Sequence, residues 1–296
     1  MSLRWKVRRS ISGYIFILPS LLFVGCLLLV PIAQNIYYSL FNWDGLAVPR
    51  YIGLKNYITI FKDAAILSSL FNTTTWVVFT VVFPVSSALV LAFFLNSTKH
   101  SNIYKTVFYF PLVISVVSVS IIWQYIYSYR VGAISSLLND VLRLKIPVKI
   151  LTEPYINTIA MMIAFSWQAM GGFMVLFLMG LSNMPTSPIE SATIDGASKL
   201  QTLIYIVIPM LSPVITIVVG TAIVNSFKVF DIIYVMTKGG PFRSSETLAV
   251  TMIRETFTMF RFGYGASIAT LLSVLVIIVT AFYVRNVGKT TQYQEK

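Results

Sequence analysis

The stretch AAILSSLFNTTTWVVFTVVFPVSSALVLAFFLNST, residues 64–98, runs for 35 residues without a charged side chain. About 20 apolar residues in a helix are enough to cross the hydrocarbon core of a bilayer. Five further uncharged runs of at least 23 residues each occupy 10–43, 106–129, 154–189, 200–227 and 262–284. The six runs predict six transmembrane helices.

The overall composition agrees with a membrane protein. The chain is 57% hydrophobic and 11% charged, with a mean hydropathy of +0.81, which is more apolar than a water-soluble domain of this size. The net charge of +12 would suggest nucleic acid in a soluble protein, but here the basic residues flank apolar runs, where anionic lipid explains them. The single cysteine, Cys26, excludes an internal disulfide and a cysteine-ligated metal site.

We expect an all-α, polytopic, single transmembrane domain over residues 1–296. The basic clusters at Arg4–Arg9, Lys99–Lys105 and Arg285–Lys289 flank the runs and favour the cytoplasmic side, which places both termini there. The basic start resembles a signal peptide, but its apolar region is too long and no Ala-x-Ala site follows, so we expect an uncleaved first helix. The expected spans cover about 11–34, 70–95, 107–127, 156–180, 204–224 and 264–284.

The six runs contain no Asp, Glu, Lys, Arg or His. Ion-driven carriers need such groups inside the membrane, and a membrane hydrolase needs a base for its nucleophile. The one histidine, His100, is expected in a solvated loop, and Gly288-Lys289-Thr290 lacks the earlier glycine of a phosphate-binding loop, since position 283 is Tyr. We therefore expect no catalytic residue, no metal site and no bound cofactor in this chain.

A second stretch, SPIESATIDGASKLQTLIYIVIPMLSP, residues 187–213, separates the fourth and fifth runs. Ser187 fits an N-cap, Pro188 the first helical position, and Glu190 the third position that completes a capping box. Asp195-Gly196 then fits a helix end, because glycine best adopts the left-handed conformation found there. A short, capped helix is therefore predicted on the cytoplasmic face. The other cytoplasmic connection, near Lys99, is tight and has no room for such a helix.

A second helix is predicted directly after the first. Ser198 and Gln201 repeat the capping pattern, and the helix runs from about Lys199 toward Pro209 and into the bilayer. Two interpretations stay open from these residues alone. The pair is an amphipathic unit lying on the membrane surface, or it is a docking element that sits in a groove on a partner protein.

The same residues resemble the Glu-Ala-Ala loop of ABC importer permeases, the binding-protein-dependent inner-membrane component family. Glu190-Ser191-Ala192, Ile194 to Ala197 and Ile206 to Pro209 follow the family pattern, except that Ser191 replaces Ala and Ile208 replaces Leu. The resemblance extends from about residue 13 to residue 285. Further stretches similar to the carbohydrate branch are Leu54 to Tyr57, Asn72-Thr73, Leu95-Asn96, Phe110-Pro111, Trp167-Gln168, Gly180-Leu181, Phe230-Asp231, Thr237 to Pro241 and Phe262 to Gly265.

Within the carbohydrate branch, the Gly-Gly-Pro segment at 239–241, before the last span, makes the chain resemble the larger maltose permease subunit. This resemblance implies a second, homologous permease subunit, two ATP-binding subunits that carry ATP and Mg, and an extracytoplasmic solute-binding protein, in the cytoplasmic (inner) membrane of a bacterium or archaeon. It also implies that Gly196 sets the angle of the coupling helix and that Glu190 caps it or contacts an ATPase. The residues implied in ATPase coupling are Glu190, Ser191, Ala192, Asp195, Gly196 and Ala197.

The substrate path is expected on the spans beside this loop, because sugars are held by hydrogen bonds and ring stacking in largely apolar pockets. For three of these candidates a structural role is the open alternative. Gly171 and Gly172 would then allow close helix packing, and Asn225 would bond to a neighbouring helix. The candidates are Trp167, Gln168, Gly171, Gly172, Asn225, Ser226 and Lys228.

The sequence thus predicts the permease subunit of an ATP-driven importer for a sugar or oligosaccharide. One alternative is the same architecture importing another solute, such as glycerol phosphate, an acidic oligosaccharide or a polyol, where Lys228 would pair with an anion. A membrane-embedded enzyme or scaffold is the third interpretation, and it would require paired catalytic groups near one membrane face, which the sequence lacks.

Overall fold

The computed structural model describes residues 16–96, 98, 101–129, 131–144 and 149–292. The predictions for Arg4–Arg9, Lys99 and His100 therefore lie outside the described residues. A two-stranded antiparallel hairpin, β1 (Phe41–Asn42) and β2 (Arg50–Tyr51), accompanies the helices. The helices are α1 (Phe16–Tyr38), α2 (Lys55–Ile60), α3 (Ala64–Asn96), α4 (Ser101–Val113), α5 (Val116–Ile126), α6 (Ala133–Ser136), α7 (Ile156–Ser182), α8 (Ser187–Ile194), α9 (Lys199–Met210), α10 (Ser212–Phe227), α11 (Asp231–Thr237), α12 (Leu248–Ile253) and α13 (Phe262–Gln292).

Four helices are long and apolar enough to cross a membrane: α1, α3, α7 and the Phe262–Asn286 part of α13. All four coincide with uncharged runs, so their prediction as helices is confirmed. The other two runs are broken. Asn102–Val113 and Val116–Ile126 meet at 99°, and Lys199–Met210 and Ser212–Phe227 meet at 80°. The described residues thus contain four candidate spans, or up to six if each bent pair counts as one.

The prediction of one continuous helix over 107–127 is wrong because Ser115 has an extended backbone, with ψ of 146°. Its Oγ accepts a hydrogen bond from the Ser118 N–H at 3.2 Å and caps α5. The prediction of one continuous helix over 204–224 is wrong because the chain turns at Leu211, between Pro209 and Pro213. Proline lacks the N–H that an uninterrupted helix uses.

The described chain forms two compact units. The first contains the described residues up to Lys62 together with Met252–Leu271. Its polar contacts include Asn56 Nδ2, which donates to the carbonyl oxygens of Ser39 at 2.8 Å and Phe41 at 2.9 Å. Asn35 Nδ2 donates to the Ala266 carbonyl oxygen at 3.2 Å. The buried Asn56 amide thus joins β1 to the residue after α1, and the half-buried Asn35 amide joins α1 to α13.

The second unit contains Asp63–Thr251 and the described residues from Leu272 onward. One of its apolar clusters joins α3, α7, α9 and α10, with Ala88, Phe177 and Val207 fully buried. Another joins α3, α7, α11 and α12 around Trp76 and Ile233. Close packing of this kind transmits displacement between helices with little compression.

Candidate coupling element and solute cleft

The α8 helix begins one residue away from the predicted geometry. Thr186 is the capping residue, and its carbonyl oxygen accepts the N–H groups of Ile189 at 2.9 Å and Glu190 at 3.0 Å. Ser187 is already helical, so the N–H that it was expected to cap is bonded to Thr186 instead. The predicted capping box of Ser187 with Glu190 is therefore wrong. Pro188 lies in the first turn, but at the second helical position rather than the predicted first.

The end of α8 follows the prediction closely. Gly196 has φ of +79°, in the left-handed region. Its N–H donates to the Thr193 carbonyl oxygen at 3.2 Å, and the Ala197 N–H donates to the Ala192 carbonyl oxygen at 2.9 Å. This pair of bonds is the Schellman arrangement, which satisfies the last carbonyls of a helix. The turn between α8 and α9 is thus fixed by the backbone of residues 192–197.

The predicted capping box at the start of α9 is confirmed. The Ser198 N–H donates to Gln201 Oε1 at 2.8 Å, and the Gln201 N–H donates to Ser198 Oγ at 3.3 Å. Both orphan donors of the first turn are satisfied reciprocally. The α8–α9 unit is therefore a rigid helix pair held by its own local bonds.

This helix pair presents a mixed surface. Glu190, Ser191, Asp195 and Gly196 are exposed, whereas Ala192 and Ala197 are half-buried. Within the described residues, neither carboxylate of α8 and its C-cap has an ion-pair partner. Ile194 is 86% exposed. Beside these residues, a notch of about 350 Å³ is lined by Asp195, Gly196, Ala197, Gln201, Thr202, Tyr205 and Ile206.

The other face of the pair is attached to the core. Ile189 of α8 packs against the apolar cluster of α3, α7, α9 and α10. Leu203, Val207 and Leu211 continue that attachment and are themselves buried in the cluster. A displacement of α8 would therefore pass to α9, whose buried residues share one cluster with α3, α7 and α10.

A cleft of about 740 Å³ lies between the α4–α5 bend, α7 and α10, within the size range of small-molecule sites. Most of its lining is apolar, and none of the described residues that line it is charged. Its side-chain amides and hydroxyls belong to Tyr109, Ser115, Gln168, Thr221 and Asn225. Such a site can bind an uncharged polar solute through hydrogen bonds and ring contacts.

Three of the seven predicted path residues line this cleft: Gln168, Gly172 and Asn225. Gln168 is only 6% exposed, and its Nε2 donates to the Ile114 carbonyl oxygen at 2.8 Å. Ile114 is the residue at the bend between α4 and α5. Gln168 thus braces the bent span, whereas Asn225 is exposed to the cleft.

The other four candidates are not among the lining residues. The Trp167 ring lies 6.0 Å from the Trp123 ring in an edge-to-face contact. A Cβ on Gly171 would overlap the Phe108 carbonyl oxygen, so this glycine permits the close approach of α4 to α7. Ser226 Oγ donates to the Ile223 carbonyl oxygen at 2.8 Å. Lys228 is exposed just beyond the end of α10.

Sequence reasoning missed several cleft residues. Thr221 lies one helical turn before Asn225, and Phe165 lies three residues before Gln168. Helical spacing places such pairs on one face, so this signal was available. Ser115 had no comparable signal, because its place in the cleft depends on the bend.

The fold matches a solved transporter. The chain is similar to a subunit of a bacterial alginate ABC transporter, solved in complex with alginate pentasaccharide-bound periplasmic protein, with a TM-score of 0.84 and 19% identity over 95% of each chain. At this identity the likeness concerns the fold. The family model for the binding-protein-dependent transport system inner membrane component matches residues 85–291. The chain therefore belongs to this family, a class of membrane permeases rather than enzymes, and the predicted membership is confirmed.

Curated relatives extend the match across most of the chain. The osmoprotective compounds uptake permease protein GgtC of Synechocystis sp. is 33% identical, over 92% of this chain and 97% of the relative. The alpha-glucoside transport system permease protein AglF of Rhizobium meliloti is 31% identical, over 95% of this chain and 84% of the relative. The similarity thus includes the α8–α9 pair and the cleft helices.

Proposed function

We propose that this chain is the transmembrane permease subunit of an ABC importer that translocates a sugar or oligosaccharide delivered by an extracytoplasmic binding protein. The observation that carries the proposal is the α8–α9 pair, a rigid exposed element whose inner face packs into the core of the helices that form the cleft. AglF, an alpha-glucoside permease, and the alginate transporter support a carbohydrate as the solute.

In this proposal the chain crosses the cytoplasmic membrane of a bacterium or archaeon six times, with each bent pair counted as one crossing. Both termini lie in the cytoplasm, in keeping with the basic residues Lys105 and Arg285 near the span ends. The α8–α9 pair then lies on the cytoplasmic face. The loops that join α1 to α3 and α11 to α12 lie outside.

The partners are a second homologous permease subunit and two ATP-binding subunits. ATP and Mg bind to those ATPase subunits, and this chain holds no cofactor of its own. The α8 helix sits in a groove of one ATPase, where Ile194 meets apolar side chains and Glu190 and Asp195 meet cations. Because Glu190 does not cap α8 in this structure, its proposed role is the contact with the ATPase.

Closure of the ATPase dimer would push α8 toward the membrane. The Schellman turn at Gly196 keeps the angle between α8 and α9 fixed, so the pair moves as one body. Ile189, Leu203 and Val207 pass the movement to the core of α3, α7 and α10. A rigid-body tilt of these helices would open and close the cleft on opposite sides of the membrane.

The cleft is the proposed solute path. Thr221 and Asn225 would bond sugar hydroxyls, while Tyr109 and Phe165 offer ring surfaces. A polyol or another small osmoprotective compound is the second candidate, because GgtC is a permease for osmoprotective compounds. An acidic oligosaccharide or glycerol phosphate has less support, because Lys228 is not among the lining residues.

The test is reconstitution of the complex, with the binding protein and ATPase from the same gene cluster, in liposomes. We expect ATP-dependent uptake of at least one of radiolabelled maltose, lactose, glucosylglycerol and an alginate oligosaccharide. Glu190→Lys should lower uptake more than tenfold while the complex remains assembled in the membrane.

Ser191→Ala is the matched control, since it restores the usual family residue on the same exposed helix, and it should keep uptake near the wild-type rate. Unchanged uptake in Glu190→Lys would show that α8 is only a surface helix. ATP-independent accumulation by this chain alone would contradict the whole proposal.

A further inference from the structure

The segment that follows α5, residues 131–144, exposes several apolar side chains. It contains α6 and continues through Leu137–Val141 as a wider helical turn, in which the Leu142 N–H donates to the Leu137 carbonyl oxygen at 3.0 Å. This turn brings Leu137 close to Val141 and Leu142. The three side chains are 53%, 68% and 54% exposed. A contiguous apolar surface of this kind marks contact with another molecule or with a membrane.

The opposite face of the 131–144 segment is attached to the protein. Ser135 is buried, and its Oγ donates to the Tyr129 carbonyl oxygen at 2.7 Å. Asn139 is half-buried, and its Nδ2 donates to Ser135 Oγ at 3.4 Å. Ile134 packs against the apolar cluster that joins α3, α7, α11 and α12. The inner face thus holds polar and apolar contacts, whereas the outer face carries the aliphatic side chains that a helix in water would bury.

The start of the segment is held at the end of a span. Tyr127, one residue after α5, donates through its hydroxyl to the Ala160 carbonyl oxygen of α7 at 3.0 Å. The Gly132 N–H donates to the Ser128 carbonyl oxygen at 3.1 Å. A Cβ on Gly132 would overlap the carbonyl oxygens of Ile126 and Ser128, so glycine allows the chain to turn back tightly here. The 131–144 segment therefore begins beside the end of α5.

The residue types on the outer face favour lipid over a protein partner. Leu and Val are under-represented among the residues that anchor protein interfaces, and no aromatic residue occurs within 131–144. Exposed tyrosines precede and follow the segment, Tyr129 and Tyr155, and tyrosine is enriched at the level of the lipid headgroups. Asp140 and Arg143 are exposed, and their charge keeps the segment out of the hydrocarbon core. These features are typical of a segment that lies in the plane of the interface.

We propose that residues 131–144 form an interfacial anchor in the outer leaflet, with Leu137, Val141 and Leu142 at the boundary between headgroups and acyl chains. The inference rests on the proposed function for the side of the membrane, because the proposed topology places the connection between α5 and α7 outside. Tyr127 and Ile134 attach this connection to the core. The anchor would therefore fix the depth of the outer end of the α4–α5 span.

The first experiment measures the depth of nitroxide labels by power saturation. Leu137→Cys, Asp140→Cys and Val141→Cys are made one at a time in a chain with Cys26→Ser, and the complex is reconstituted in liposomes without binding protein. Labels at 137 and 141 should relax faster with molecular oxygen than with a water-soluble nickel chelate. The ratio of the two effects should be at least about threefold higher than at 140, since the apolar face lies deeper than the charged one.

Asp140→Cys is the matched control, because residue 140 is exposed and adjacent to Val141. Equal ratios at 140 and 141 would place the segment in water and overturn the inference. Weak relaxation by both reagents at 141 would mean that a protein such as the second permease subunit covers this face, which also overturns it.

A fluorophore at the same positions detects lipid directly. A bimane at 141 should be quenched by phosphatidylcholine that is brominated on the upper part of its acyl chains, at least about twofold more strongly than a bimane at 140. Equal quenching at the two positions would contradict an apolar face in contact with acyl chains.

Two further measurements separate the anchor from the proposed function. In right-side-out membrane vesicles, a membrane-impermeant maleimide should react with Asp140→Cys. Reaction only after permeabilisation would overturn the outer placement, together with the proposed topology. If the labels show the expected depths but the wild-type complex shows no ATP-dependent uptake, the proposed function is contradicted and the anchor is supported.

Discussion

The two bent spans are alike in outline and differ in what bends them. The α4–α5 bend of 99° is capped locally by Ser115 and is also braced from another helix, since Gln168 Nε2 of α7 donates to the carbonyl oxygen of Ile114. The α9–α10 bend of 80° lies between Pro209 and Pro213, which are its own residues. The first bend thus has a tertiary brace beside its local cap, whereas the second is shaped by its own prolines. We call them the tertiary bend and the local bend.

This difference matches their places in the molecule. The tertiary bend forms a wall of the cleft, where Ile114 and Ser115 line the space beside Gln168. The local bend connects the α8–α9 pair to α10, and Leu211 at its centre is buried in the core. The bend beside the proposed solute path is braced by a neighbouring helix, whereas the bend beside the proposed coupling element is set by its own prolines.

The largest effect is expected from Gly171→Ala, which tests how closely α4 must approach α7. The new Cβ would overlap the Phe108 carbonyl oxygen and lie 3.0 Å from Tyr109 Cα, and both are backbone atoms. Overpacking of this kind costs about 1–3 kcal/mol. Uptake should fall at least tenfold, and the purified complex should melt at a lower temperature.

Gly172→Ala is the control on the adjacent position. Its Cβ would lie 3.3 Å from a flexible Leu112 side-chain carbon, which can move. We expect near-normal uptake and melting temperature. Equal behaviour of the two alanine variants would show that the approach of α4 to α7 does not set the cleft.

Much of the fold could be predicted from charge spacing alone. The uncharged runs identified α1, α3, α7 and α13, because a membrane-spanning helix needs only length and apolar composition. The end of α8 at Gly196 and the capping box of α9 were also predictable, because both depend on residues within one turn. The start of α8 could not be predicted to the exact residue. The Glu190 N–H can bond either the Ser187 side chain or the Thr186 carbonyl oxygen, and these two bonds start the helix one residue apart.

The cleft was predicted less well for a physical reason. Gln168 was a reasonable candidate for contact with the solute, but its donor bonds a carbonyl 54 positions away. The shape of this site therefore depends on contacts that no local pattern records.

An intermediate effect is expected from Gln168→Met, which keeps the length of the side chain and removes its donor. The Ile114 carbonyl oxygen would then lose this partner, at a cost of about 1–3 kcal/mol. The bend between α4 and α5 should become variable, and uptake should fall about tenfold. Trp167→Phe keeps an edge-to-face ring next to Trp123 and should change uptake little.

Distance measurements between spin labels separate bracing from solute contact. With Cys26 replaced by Ser, labels at Ile103 of α4 and Tyr125 of α5, both exposed, report the bend. Gln168→Met should broaden the distance distribution in the absence of any solute. An unchanged distribution with reduced uptake would mean that Gln168 acts on the solute and not on the bend.

The smallest effect on transport is expected at the local bend. The Pro213 ring excludes the carbonyl of Pro209, four residues earlier, from a continuous helix. Pro213→Ala removes this exclusion, so labels at Tyr205 and Ile217 should move apart. Uptake should stay within about twofold, because the Leu211 side chain remains buried in the core and limits how far the bend can open.

Pro209→Ala is the matched control, since it restores an N–H inside α9 and leaves the Pro213 ring in place. The distance between the two labels should then remain at its wild-type value. If the distance between the labels lengthens in Pro209→Ala and not in Pro213→Ala, then Pro209 and not Pro213 causes the bend. No lengthening in either variant would mean that this bend, like the first, is imposed by packing, here by α7, where Gly180 lies against Leu211 and Val214.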